Sequence, residues 1–552
     1  MIKDERLMGQ LSDMLLTLEQ AGNQLLEFII DKEYIRFKII YGDMLEALKQ
    51  IQYVSKQLKE KNPYVRLVDA CQCALDSLER ISEYYRYNPK KCIDKLKFEL
   101  IPILQVMYIQ FRYWGCAYPD KKKIESFKAN ELEQYVINPY IKQDQLTEEY
   151  KYDLSVVIVG YNKLEYTKLC VESLLEHMPD GIEYELILIN HGSNDGTQSY
   201  FEGINPTKQL DISVNGVMAE IVLKVCEGKY ALMVSNDTVI TEGAIENMLM
   251  CMEEDTQVGW VVPTTPNVTN LQTIPLEYKD LQEMHREAKK NNKRNPLREE
   301  QRVRLCNPIT LTRIATHIEM FKQLYVSLYG CTNIQSFPDD KCSLWLRRNG
   351  YKLILAKDAY CYHFGSVTLG DEISKENEQV FYLEGRRKFL EDFGVDPWGS
   401  GGCYNPFLMS KLPCDELESI NILGVNCGLG SNPLKVKELI RENTGNNQCK
   451  VYNIINEDTY YKDLVGVSDY IGKFEKLEEL EELLKNICFK YIIIEDGIEN
   501  NGDLVLQLKG ILKVLKKNSK CCIKIKDSNY KHEIIRMSDN VEVIDEWLII
   551  TK

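Results

Sequence analysis

The run Leu154-Ser155-Val156-Val157-Ile158-Val159, closed by Gly160, decides what the middle of this chain can become. A short, mostly β-branched apolar run reads as a strand buried on both faces, a place that the interior of a parallel sheet offers. The pattern then recurs. An amphipathic stretch from Tyr166 to His177 is followed by a second apolar run, Tyr184 to Ile189, ending in Asn190. A third, Tyr230 to Val234, ends in Ser235-Asn236-Asp237. Strands alternating with helices predict a parallel α/β sheet. In such sheets ligands bind outside the carboxyl ends of the strands, and each of these predicted ends carries polar residues.

The flanks differ. Residues 1–117 read as helical, with apolar positions recurring every three or four residues (Leu15, Leu18, Leu25, Leu26, Ile29, Ile30) and breaks at Pro63 and Pro89. Four helices in a bundle are expected, as a docking or acceptor-binding module without chemistry of its own. Residues 118–152 are charged and Tyr-rich and read as a linker, and 153–400 hold the central α/β domain. Within it, the charged stretch 278–304, with Lys289, Lys290, Lys293 and Arg294, is either a solvated helix or loop or a lid. From residue 415 to 552 a second, Rossmann-like unit is expected. Its strands are Ile420 to Val425, Lys450 to Ile455, Tyr491 to Ile494 and Cys521 to Ile525, and a glycine-rich turn follows the first. The whole is an α/β multidomain chain with a helical N-terminal module.

Charge and composition narrow the partners. A net charge of −15 argues against nucleic acid, which needs a basic face. No run approaches the ~18 consecutive apolar residues of a membrane span, and MIKDERLMGQ has no apolar core of a secretory leader. A cytoplasmic location is therefore expected. The 18 cysteines include no CxxC pair and read as reduced core thiols rather than a zinc site.

Three places carry candidate chemistry. Asp237 ends a strand and suits a hard divalent cation, which prefers oxygen ligands; the alternative is an ordinary turn-forming acid. Asp339-Asp340, after Phe337-Pro338, could take a proton from an attacking hydroxyl, and equally suits a helix start. His363 closes the run from Tyr351 to Tyr362 and is either structural or a ligand.

In order and spacing, five segments resemble the family 2 inverting glycosyltransferases of the GT-A fold. They are Ser155 to Asn162 (SVVIVGYN), Leu188 to Thr197 (LINHGSNDGT), Val234 to Thr238 (VSNDT), Phe337 to Tyr351 around PDD, and His363-Phe364-Gly365-Ser366. The resemblance implies a nucleotide-diphosphosugar-binding fold over 153–400. By position it implies that Val159, Gly160, Tyr161 and Asn190 line the nucleotide pocket, with Ser235, Asn236 and, by a looser match, Asn215 and Gly216. It implies Asp237 as ligand of Mn²⁺ or Mg²⁺, His363 as a second metal or diphosphate contact, and Asp339 as the base with Asp340 the alternative. The chain departs from the pattern at Asn190 and Ser235, where the family has acids, and at Lys341. An amide still bonds a base edge, and Asp237 is left as the one carboxylate of its motif.

The C-terminal unit resembles class I methyltransferases through Ile422 to Gly430 (ILGVNCGLG), Asp496 to Asn500 and Leu512 to Ile525. The acids that grip the cofactor in that family fall on Gly424 and near Ile455, so S-adenosylmethionine is not expected to bind. The expected activity is transfer of a sugar from a nucleotide-sugar donor, UDP-linked such as UDP-GlcNAc, to a hydroxyl of a protein or glycan. Similar multidomain proteins glycosylate bacterial flagellin on Ser or Thr. Two rival readings stand beside it: a bifunctional glycosyltransferase and methyltransferase, and a non-catalytic binding or scaffold protein.

Overall fold

A computed structural model describes residues 5–61, 67–132, 150–213, 221–222, 224–328, 337–365, 367, 375–475, 479–484, 486–496, 504–525, 527–536 and 540–552. It opens with helices α1 (Glu5–Ile30), α2 (Tyr34–Lys61), α3 (Leu67–Tyr84), α4 (Pro89–Lys95), α5 (Ile101–Gln110) and α6 (Lys121–Phe127). The central elements are β1 (Tyr152–Gly160), α7 (Leu164–Glu176), β2 (Tyr184–Asn190), α8 (Thr197–Ile204), β3 (Lys208–Asp211), β4 (Gly228–Ser235), α9 (Ala244–Glu254) and β5 (Val258–Thr264). There follow α10 (Leu281–Asn291), β6 (Glu299–Arg302), β7 (Ile309–Arg313), α11 (Ile314–Leu328), α12 (Pro338–Arg348), β8 (Lys352–Tyr360) and α13 (Lys375–Phe393). The last part comprises β9 (Asn421–Val425), α14 (Ser431–Thr444), β10 (Lys450–Ile455), α15 (Tyr461–Leu464), β11 (Tyr470–Lys473), β12 (Phe489–Ile494), α16 (Leu504–Lys513), β13 (Leu515–Lys524), β14 (Val541–Ile544) and β15 (Trp547–Thr551).

The chain divides into two compact units, each drawn from several stretches of sequence. The first takes residues 1–240, 308–335 and 364–374; the second takes 241–307, 336–363 and 375–552. The central α/β region is thus shared between them, and the C-terminal sheet belongs to the same unit as the acid pair.

In the first unit, strands run in the order β3-β2-β1-β4-β7, parallel except for β7. The β1 pattern of near-continuous burial is what a central parallel strand requires. The helical module shares its core with this sheet, including Leu100, Leu104 and Phe111 from the helices and Ile189, Leu210 and Ile221 from the sheet side. The helical region also runs on past residue 117: α6 and the π-turn Lys128–Leu132, within the stretch expected as a linker, bury Phe127 and Leu132. An ion network ties the module to the sheet. Lys95 Nζ donates to Glu99 Oε2 and to Asp211 Oδ2, both at 2.7 Å, and Arg80 Nη2 donates to Glu99 Oε1 at 2.7 Å.

In the second unit, β8 lies between β5, parallel, and β6, antiparallel. The charged stretch 278–304 is ordered here into α10 and β6, capped by Asp280, whose side chain accepts from Glu283 N. The C-terminal strands form a separate sheet in the order β11-β10-β9-β12-β13-β15-β14, with β15 antiparallel to both neighbours. Between β9 and β12 the winding reverses, which makes that point the ligand crevice expected of an open α/β sheet. This sheet packs on the rest of its unit through α14 and β6. Lys435 Nζ donates to the buried Glu300 at 2.8 Å, and Gln301 N donates to Glu438 Oε2 at 3.2 Å.

Candidate functional site

Strand register brings most of the first unit's candidates to one level. Gly160 lies opposite Asn190, and Val159 lies opposite Ser235, across three adjacent parallel strands. The loops beyond them are tied together. Ser193 Oγ accepts from Asn162 N at 2.9 Å, Asn162 Oδ1 accepts from Asn194 N at 3.0 Å, and Asp195 accepts from Leu164 N at 2.8 Å and from the Thr197 hydroxyl at 2.6 Å. Asp195 therefore closes the starts of both α7 and α8, where a carboxylate is favoured by exposed backbone N–H groups. Although burial opposes it, these bonds hold the Asp195 carboxyl below its usual range. The second half of the LINHGSNDGT segment is thus the lock that fixes two strand-end loops.

Asn190 is buried, with its carbonyl accepting from Ser193 N at 3.0 Å and its amide donating to Asp211 Oδ1 at 3.2 Å. Asp211 in turn is the acid that Lys95 grips, so the helical module reaches the nucleotide-side candidate through one carboxylate. Tyr161 stands edge-on to His191, ring centroids 5.9 Å apart, and His191 Nδ1 bonds Ile212 O at 2.6 Å. Asn236 is buried with its amide donating to Thr167 Oγ1 at 2.9 Å, an inward-facing role that its motif position does not announce. Asp237 is buried at the strand end; its Oδ2 accepts from Val367 N at 3.2 Å and its carbonyl from Phe364 N at 3.0 Å. Asn215, Gly216 and Ser366 lie outside the described residues.

The second unit holds Asp339, Asp340 and His363. Both acids lie in the first turn of α12, after Pro338 at its first position. Asp340 is buried and paired with Arg304, whose Nε and Nη2 donate to its two oxygens at 2.8 and 3.3 Å. Asp339 Oδ2 accepts from Asn307 N at 3.3 Å, and the Asn307 side-chain amide, oriented to satisfy its neighbours, donates to the same oxygen at 3.0 Å. Burial and then the adjacent charge of Asp340 push the Asp339 carboxyl up to about 7. Burial also raises Asp340, against the pull of Arg304. A like-charge pair cannot ionise together cheaply, so one member is fixed by a guanidinium and the other is left near neutrality. Arg304 and Asn307 were not singled out in the sequence. The strap that carries them is held by Gln272, which accepts from Cys306 N at 2.7 Å, and by Asn270, which donates to Arg304 O at 2.5 Å. His363 is buried, and its carbonyl accepts from Asn267 Nδ2 at 2.8 Å.

The glycine-rich turn after β9 is already filled. Leu429 N donates to Ser400 O at 3.0 Å and Ser431 N to Gly401 O at 3.1 Å. A Cβ on Gly401 would sit 2.0 Å from Cys427 O, and one on Gly428 would sit 2.0 Å from Ser400 O. The backbone of 400–401 therefore lies directly against the turn and takes its N–H groups. Gly424 has no room for an acid, since a Cβ there would lie 2.3 Å from Asn453 Oδ1 and 2.7 Å from Pro433. Ile455 is packed in an apolar cluster with Leu429, Leu434 and Leu464.

Residues 155–313 match the model of the family described as Glycosyl transferase family 2. No curated protein matches the chain. Among solved structures, GalNAc-T7 with UDP, GalNAc and Mn²⁺ is similar at 12% identity and a TM-score of 0.33, covering 46% of this chain and 50% of that one. TarS 1-349 of S. aureus in complex with UDP-GlcNAc is similar at 18% identity and a TM-score of 0.30, covering 43% and 66%. The mannosyltransferase PcManGT of Pyrobaculum calidifontis, with GDP-Man and Mn²⁺, is similar at 12% identity and a TM-score of 0.29, covering 49% and 72%. The chain thus spans half of the first of these proteins and just under two thirds of the second. No described helix is long and apolar enough to cross a membrane. The family match lies across the strand ends just described, so residues 155–313 of this chain resemble a glycosyl transferase family 2 domain.

Proposed function

We propose that this chain is a glycosyltransferase that moves a sugar from a UDP-linked donor such as UDP-GlcNAc to a hydroxyl, with inversion, and that its acceptor is a protein side chain, of which Ser or Thr of flagellin is the model case. The observation that carries the reading is the row of polar strand ends, Gly160 opposite Asn190 and Val159 opposite Ser235, inside the matched segment.

Asp237 would hold Mn²⁺ or Mg²⁺, with His363 as a further contact. Among the described residues no group of three or more His, Cys, Asp or Glu is placed to hold a metal ion. The fit is therefore to a cation shared with donor phosphates, the way Mg²⁺ is commonly bound by one or two carboxylates plus substrate. Such a cation, when bound, neutralises charge on the departing diphosphate. Asp339 would accept the proton of the attacking hydroxyl. A base with a pKa about 7 has enough ionised form at neutral pH and enough proton affinity to do this. Asn307 would steady the carboxylate, and Arg304 would hold Asp340 in place beside it. The C-terminal sheet is proposed as a methyltransferase-like domain, 415–552, without its cofactor. The filled turn at 426–430 supports that reading over the bifunctional one.

Thermal unfolding with UDP-, GDP- and dTDP-sugars in Mn²⁺ tests all of this in one experiment. A UDP-sugar should raise Tm, and Asp237→Ala should remove the Mn²⁺-dependent part of the shift. That variant should also cut turnover by about 10²–10³-fold. S-adenosylmethionine should leave Tm unchanged. Near-normal Mn²⁺-dependent turnover in Asp237→Ala would sink the metal assignment, and a shift with S-adenosylmethionine would revive the bifunctional reading.

A further inference from the structure

The helix that begins with the acid pair ends with two arginines, and both are held by one carboxylate from the C-terminal sheet domain. Asp463, in α15, is fully buried. Its Oδ1 accepts from Arg347 Nε at 3.1 Å and Nη2 at 2.5 Å, and its Oδ2 accepts from Arg348 Nε at 3.1 Å and Nη2 at 2.7 Å. The remaining donors are also placed. Arg347 Nη1 donates to Val303 O, and Arg348 donates to Phe393 O at 3.3 Å. Val303 is the neighbour of Arg304, the partner of Asp340. So α12 is pinned at its start through Arg304 and at its end through Asp463, and the strap 303–304 joins the two pins. The approach is close: a Cβ on Gly466 would lie 3.0 Å from Arg347 O.

We propose that Asp463 is a positioning residue for Asp339 and Asp340, and that the C-terminal sheet domain acts on the reaction by setting the orientation of α12. Four N–H donors from two planar guanidiniums fix both the rotation and the axial position of the helix end, which a single ion pair would not. A domain whose own glycine turn is filled by residues 400–401 has α15 and the turn after it, 461–466, against α12. The proposal rests on the reading of Asp339 as base.

A base displaced by a fraction of an ångström loses rate but not donor affinity. Asp463→Asn keeps the shape, accepts from one guanidinium and turns an N–H₂ toward the other. It is expected to lower kcat about 10–100-fold with donor KM within about twofold of the parent. Arg348→Lys, at a partly exposed position, keeps the charge and loses the fork; it is expected to lower kcat several-fold with KM unchanged. Should Asp463→Asn not fold, Arg348→Lys carries the test alone. Unchanged kcat in a folded Asp463→Asn, or in Arg348→Lys, overturns the proposal. So does a loss confined to KM. Asp339→Asn is run alongside: if it keeps full turnover, the base assignment fails, whereas an inactive Asp339→Asn beside a fully active Asp463→Asn rejects the positioning role alone.

Discussion

Two carboxylates, one in each unit, sit in dense protein and have been driven in opposite directions. Glu99, in the helical module, is fully buried between Lys95 and Arg80. Burial alone would raise its pKa, but the two cations outweigh burial and hold it at about 2. Asp339 has the Asp340 carboxylate as its adjacent charge, and Arg304, a cation that acts on it, is committed to Asp340. It is pushed up to about 7. Burial is common to both, so burial does not decide the outcome; the sign of the adjacent charge does. The first arrangement holds a module in place, and the second leaves a proton site poised for exchange.

The largest effect that would break this comparison is in the first unit. Glu99→Ala leaves two cations buried against Asp211 alone, and breaking such a network by removing one partner costs about 3–5 kcal/mol. Urea unfolding should read that loss. A variant within 1 kcal/mol of the parent would mean that the cations relax into water. The pH dependence follows from the direction of the shift. Because the folded pKa lies below the unfolded value near 4.5, the Glu99 contribution is complete above about pH 4.5 and is lost as pH falls toward 2.

Asp339 has the opposite sign. Its folded pKa lies above the unfolded value, so it costs nothing in strong acid and destabilises progressively as pH rises from about 4 to 7. Asp339→Asn should therefore raise stability at pH 8 by about 1–2 kcal/mol, discounted for its remaining solvent contact. The same substitution should abolish turnover. No gain in Tm between pH 7 and 8 would show that the carboxyl is not strained. The smallest expected effect sharpens the first cluster. Arg80→Gln removes the more exposed of the two cations while Lys95 remains, and should cost about 1 kcal/mol in the same urea titration. A cost near that of Glu99→Ala would make Arg80, not Lys95, the dominant partner.

How far the sequence could be read divides along similar lines. Strand ends were legible because a buried parallel strand announces itself in a few residues, and β10 was placed at Lys450–Ile455 in both readings. Lys95 and Glu99 stand at ordinary i,i+4 spacing, which says nothing about whether the pair is exposed. Arg304, Asn307 and Asp463 were missed because their partners are 36, 32 and about 116 positions away, and neither a loop nor a single helical turn carries a periodicity that reports such a pairing. Asn236 was legible as a motif position, yet its amide turns inward to Thr167. The domain boundaries were drawn where composition changes, but compactness is set by contacts such as Lys435–Glu300 that join distant segments.

The interleaving of the two units also bears on how the chain is made. Strand β4 waits for its antiparallel partner β7 until α9, β5, α10 and β6 have been synthesised, and β5 waits for β8. At about 5–20 residues per second, the first delay is on the order of 10 s. For that time the newborn chain presents the apolar β4, with one edge unpaired, an invitation to pair with a neighbour on the same message. A ribosome-bound chaperone would find its target there, in a strand that the finished protein largely buries.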